Sequence, residues 1–98
     1  MKVHWTARAE ARLDAICGYV AGDAPAAAKH LEQKLLLRSQ QLTRSPHPGR
    51  TVPEYEHPDV RELIKGHYRL IYRVLPDRVD VLTVMHCAQL LPGDLKKL

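Results

Sequence analysis

Cysteine is scarce in this chain. Cys17 and Cys87 are the only two among 98 residues, they stand seventy positions apart, and no CxxC pair occurs. That excludes a disulfide framework and the usual thiol redox motif, and the expectation is two free thiols in an intracellular, cytoplasmic protein. The opening "MKVHWTARAE" has no apolar core of the kind a secretory leader carries. No apolar run approaches bilayer length, so no membrane partner is expected. Six histidines are present without ligand-like spacing, and neither a metal site nor a cofactor is expected. Repeats and low-complexity tracts are also lacking. Fifteen basic residues against eleven acidic ones leave +4, an excess that permits an acidic partner without requiring one. With 45% apolar and 27% charged residues, disorder is not indicated.

What is present reads as one α+β domain over residues 1–98. Val3 and Trp5 alternate with Lys2 and His4, a short β-prone segment, and Thr6 then suits the cap of a helix. Ala9, Leu13, Ile16 and Val20 recur at helical spacing, with Cys17 on the same stripe and Tyr19 near its edge. Gly22 can end this helix and Asp23 can cap the next, with Pro25 tolerated in the first turn. Ala28, Leu31, Leu35 and Leu42 give the second helix an apolar face, and Pro46 and Pro48 predict its end near Ser45. So short a connection predicts an antiparallel helical hairpin.

"SPHPGRTVPEYEHPDV" reads as an irregular surface connector. Three β-prone runs follow, Val60 to Ile64, Tyr68 to Leu75 and Arg78 to Cys87, separated by Lys65-Gly66-His67 and Pro76-Asp77 at hairpin length. The order β-α-α-β-β-β predicts a two-layer domain, with the hairpin on one face of a mainly antiparallel sheet of three or four strands. In the central run Tyr68, Leu70, Tyr72 and Val74 share one parity and are expected beneath the helices. Arg69 and Arg73 then project from the opposite, open face with Ile71 between them.

Taken in order along nearly the whole chain, these pieces resemble the RelE/ParE toxin superfamily, the toxin halves of bacterial toxin–antitoxin pairs, and more closely its ParE branch. The resemblance rests on Trp5-Thr6 before a helix bearing Ala9, Leu13, Ile16 and Tyr19, and on Pro48-Gly49-Arg50. It continues through "VREL" at Val60 to Leu63, "GHYRLIYRV" at Gly66 to Val74, and His86 closing the last run.

RelE-like members resemble ribosome-dependent ribonucleases, whose chemistry needs cations on the scissile phosphate and groups to move protons. If the chain were such an enzyme, the resemblance would give Arg61, Arg69 and His86 the catalytic roles. The family's second basic position in the run that precedes the central one, Val60 to Ile64, holds Leu63, however, and "CAQLLPGDLKKL" after His86 contains no arginine or tyrosine. ParE-like members resemble inhibitors of DNA gyrase that need no catalytic groups of their own. The resemblance therefore implies a non-enzymatic gyrase inhibitor neutralised by a cognate ParD-like antitoxin. A ribosome-dependent messenger-RNA endoribonuclease and a harmless degenerate member stand as alternatives.

Expected partner-binding residues are Arg61, Glu62, Arg69, Arg73 and His86. Against this, Arg69 and Arg73 could be cross-strand partners of Glu62 or Asp80, Arg61-Glu62 an exposed ion-pairing edge, and His86 a satisfied strand-end histidine. Gly49 and Arg50 are expected to fix the connector's return to the sheet, and Tyr68 and Tyr72 to be core. Leu90-Leu91-Pro92 reads as a tail folded back on the domain.

Overall fold

The computed structural model describes residues 1–44, 49–55 and 57–88; the Leu90-Leu91-Pro92 tail lies outside them. Strand β1 (Lys2–Trp5) leads into helix α1 (Ala7–Asp23). The junction is made by Thr6, whose Oγ1 accepts the Ala9 amide at 3.1 Å and donates to the Val81 carbonyl at 2.8 Å. One side chain thus caps the helix and ties it to the sheet.

The break between α1 and α2 (Pro25–Gln40) falls at Ala24, one residue later than Gly22 and Asp23 suggested. Asp23 is the last residue of α1 and caps nothing. Pro25 disfavours helical dihedrals in the residue before it, so Ala24 takes φ −146° and the chain turns there. α2 ends at Gln40, earlier than Ser45, and tightens into a 3-10 turn over Gln41–Thr43.

The sheet has five strands, β2 (Arg50–Thr51), β3 (Val60–Lys65), β4 (Tyr68–Val74) and β5 (Arg78–His86) completing it in the order β1-β5-β4-β3-β2. β1 runs parallel to β5, and the other pairs are antiparallel. The fifth strand is β2, two residues from within the proline-rich connector. The two-layer α+β class holds. Gly66, at φ +60°, makes the β3–β4 turn, a conformation that side-chain-bearing residues rarely adopt.

Beneath the helices, Leu63, Leu70, Tyr72, Val79 and Val81 pack with Ala9 and Leu42, and Val84 packs with Leu13 and Leu35. Tyr68 joins the second group from its edge, so the parity expected for β4 is observed. The opposite face is not bare. Val52 and Tyr55 from the connector form a buried cluster there with Val60, Ile71, Leu82 and Met85. A bulge makes this possible: Ile71 pairs with Thr83 but Tyr72 with Val81, so Leu82 is the extra residue of β5 and joins the far-side cluster.

Candidate functional site

Period-two alternation carries Arg69 to the face away from the helices, as expected, but the connector then covers it. Only 7% of the residue is exposed. Its Nε donates to Glu62 Oε2 at 2.7 Å, and Nη1 and Nη2 grip both oxygens of Glu54 at 3.0 and 3.2 Å. Glu62, buried on β3, also accepts from Arg50 Nε. Two arginines and two carboxylates thus clamp the connector onto the sheet. Arg69 is a partner of Glu62, the alternative role read for it, and is not a free cation on an open surface. Burial disfavours its charge, but the hydrogen bonds to Glu54 and Glu62 outweigh burial and hold the guanidinium above its ordinary value.

The hydrogen bond from Arg69 is also the main reason the Glu54 carboxyl lies below its ordinary value of 4.5. A lowered folded-state pKa means a stabilising contribution that is present above the unfolded value and lost as pH falls through the folded one. Urea midpoints of the wild type should therefore fall as pH drops below that value. Glu54→Gln should flatten this acid limb, and an unchanged slope would show that the clamp does not report there.

Arg61 and Glu62 do not act as a pair, because neighbours on a strand point to opposite faces. Arg61 lies opposite Tyr72 and donates from Nη1 to the Gly49 carbonyl at 3.1 Å. Its Nε is buried with no hydrogen-bond partner among the described residues. The Gly49 amide donates to the Tyr72 hydroxyl at 3.1 Å. Tyr72 is fully buried, and burial raises its phenol above the ordinary value despite the Gly49 amide and the positive charges of Arg61 and Arg38. A Cβ on Gly49 would stand 2.7 Å from that hydroxyl and closer still to the Glu62 carbonyl. Gly49 and Arg50 thus tie the connector to the sheet, Tyr72 lies in the core, and Tyr68 is half-buried at its edge.

Arg73 lies opposite Asp80, whose carboxylate is held by Arg78 at 2.9 Å. The Arg73 Nε is buried with no hydrogen-bond partner among the described residues. His86 is exposed at the end of β5. Its Nδ1 accepts the Ala88 amide at 3.1 Å, its ring stacks on His67 with centroids 6.0 Å apart, and Tyr68 meets it edge-on at 5.6 Å. Neither Arg61 nor Arg69 makes a hydrogen bond or ion pair to it among the contacts described, so the three residues of the ribonuclease alternative are spread over separate environments.

What His86 does border is a groove of about 420 Å³. Ala15, Ile16 and Tyr19 of α1 line it opposite Tyr68, with Arg12 at its rim. Tyr19 is 84% exposed, unusual for a large aromatic side chain. The helical pattern placed it only at the edge of the apolar stripe. Glu54, Val52 and Tyr55 gave still less signal, because they lie in a proline-rich stretch without periodicity.

Residues 3–91 match the family model described as the ParE toxin of the type II toxin–antitoxin system, parDE. The chain belongs to the ParE toxin family. It is 34% identical over 93 residues to a Sinorhizobium fredii protein named as a toxin, Y4kP, a match covering 93% of each. The fold is similar to a chain of the chromosomal ParDE system from P. aeruginosa, with a TM-score of 0.73 and 26% identity over 88% of this chain and 95% of that one. A chain of the RelBE2 toxin–antitoxin complex from Mycobacterium tuberculosis matches at a TM-score of 0.62, covering 87% and 95%. At 22% identity that likeness concerns the fold alone. This ParE-family chain is thus a toxin of the type II toxin–antitoxin class.

Proposed function

We propose that this ParE-family toxin acts by binding DNA gyrase rather than by cutting nucleic acid, and that a ParD-like antitoxin neutralises it in the cytoplasm. The observation that carries this reading is the state of Arg69. A ribonuclease of the related branch requires cations free to hold a phosphate, whereas the Arg69 guanidinium is buried between Glu54 and Glu62. Bringing phosphate to it would require expelling a carboxylate from a charge-assisted bidentate contact. A binding poison has no such requirement; it needs only a surface with more affinity for one state of its target than for another.

The surface suited to the antitoxin is the groove of Ile16, Tyr19 and Tyr68, with Arg12 and His86 at its rim. Its apolar floor fits one face of an amphipathic helix. Tyr19→Ser should weaken antitoxin binding about tenfold or more, the effect of losing an aromatic anchor. The urea midpoint should stay put, because so little of Tyr19 is buried. Calorimetric titration of the purified antitoxin checks both halves, and an unchanged affinity removes the groove from the account.

Expression without the antitoxin tests the function in cells. Growth arrest with an induced DNA-damage response is the expected result. Normal growth would mark a harmless member of the family, and arrest with fragmented messenger RNA would favour the ribonuclease.

A further inference from the structure

At the sheet edge opposite the connector, β1 pairs with β5 on one side only. The Thr6 amide reaches the Val81 carbonyl at 3.1 Å, and in a parallel ladder alternate residues serve one neighbour. His4 and Thr6 therefore bond to β5, and the backbone groups of Val3 and Trp5 face outward. Among the described residues no hydrogen bond is made to them. Unpaired strand edges of this kind are templates for another strand.

Beside this edge, on the helix side, runs a groove of about 510 Å³, within the range of ligand-binding clefts. Its floor is apolar, formed by Val3, Trp5, Leu13 and Leu36. Three exposed carboxylates, Glu10 and Asp14 of α1 and Glu32 of α2, line it, His4 is its remaining titratable group, and no lysine or arginine lines it. None of the three carboxylates is in an ion pair among the described residues. Their field is felt nearby. After the larger effect of burial, Glu32 and Asp14 help hold the Cys17 thiol above its ordinary value. A chain of net charge +4 has concentrated negative charge beside its open strand edge.

We propose that this edge docks an extended, lysine- or arginine-bearing segment of a partner protein, added as a strand beside β1. Backbone pairing with Val3 and Trp5 supplies register. On the added strand every second side chain falls over the groove. A lysine or arginine there lays its aliphatic stem along Trp5 and Leu36 and brings its charged head to Glu10, Asp14 or Glu32. An acidic segment or a nucleic-acid backbone is repelled by the same carboxylates. The proposal does not depend on the gyrase reading and concerns a different surface from the His86 groove.

The test uses the full chain and an acetylated, amidated octapeptide of alternating lysine and threonine, followed by amide NMR and calorimetry. The peptide should shift the Val3 and Trp5 amides first and bind less tightly as salt rises. The triple variant Glu10→Gln, Asp14→Asn, Glu32→Gln should weaken it about tenfold or more, as expected for losing charge-assisted contacts. N-methylating alternate peptide amides should abolish binding. Equal binding of a glutamate–threonine peptide, an unchanged affinity in the triple variant, shifts confined to other surfaces, or no binding at all would each overturn the proposal. Self-association of the chain through β1, seen by ultracentrifugation without peptide, would overturn it too. Should the triple variant not fold, Val3→Pro serves instead. It removes an outward-facing amide while leaving the bonds to β5, a place where an edge strand accepts proline, and it too should abolish binding.

Discussion

Arg69→Met is expected to destabilise the toxin by about 3–5 kcal/mol, the usual cost of removing one partner from a buried ion pair. Glu62 has a fully buried side chain, and in the variant it would keep only Arg50, which is 64% exposed on its own side chain. Glu54 would lose both of its contacts to the sheet, and with them the clamp on the connector. Small domains have roughly 5–15 kcal/mol in total, so this one change should consume much of the reserve. At about 4 °C or more per kcal/mol for a domain of this size, the melting temperature should fall by at least ~12 °C. Two companion measurements separate the charge from the packing. Lowering the pH should shrink the gap between variant and wild type, because protonating the carboxylates removes the uncompensated charge. Adding Glu62→Leu to Arg69→Met should recover more than half of the loss, since the buried charge is then gone altogether. A single variant as stable as the wild type would show that the connector is held without the Arg69 clamp.

Gly49→Ala should be nearly as damaging for a different reason. The added methyl would meet the Glu62 carbonyl of the neighbouring strand and the Tyr72 hydroxyl. The hydroxyl belongs to a fully buried ring, and the carbonyl is backbone within the sheet, so neither can swing aside cheaply. Overpacking of this sort costs about 1–3 kcal/mol, to which the loss of the Gly49–Tyr72 hydrogen bond adds about 1 kcal/mol. Tyr72→Phe removes only the acceptor and should cost the smaller part alone. Urea denaturation of the two variants side by side reads the difference. A Gly49→Ala midpoint equal to that of Tyr72→Phe would mean that the connector can move away from β3 without penalty.

The pattern in the sequence was enough to place the helical hairpin, the β3–β4–β5 meander and the two faces of β4, because each rests on a pattern five or more residues long. Thr6 could be read as a cap for the same reason, being a polar residue just before the stripe of Ala9 and Leu13. Where the pattern was short, reading it failed. β2 is two residues long and follows a run of prolines, so nothing local marks it as a strand. The bulge at Leu82 leaves the apolar run of β5 uninterrupted in sequence, and only the pairing with β4 exposes it. Arg69 is the instructive case. Alternation gave its face but could not give its burial, because the group that buries it, Glu54, arrives from an aperiodic stretch fifteen positions earlier. Charge partners across such distances are set by tertiary packing and leave no trace in spacing. The outward-facing β1 edge and its carboxylates were equally hidden, since Glu10, Asp14 and Glu32 gather only once two helices lie side by side.

The central claim, a toxin that binds gyrase and cuts nothing itself, is tested most directly with purified gyrase, relaxed plasmid and ATP. Adding the toxin should suppress supercoiling with increasing dose and leave cleaved plasmid covalently attached to gyrase, while messenger RNA on translating ribosomes stays intact. Unimpaired supercoiling together with codon-phased cuts in the message would contradict it.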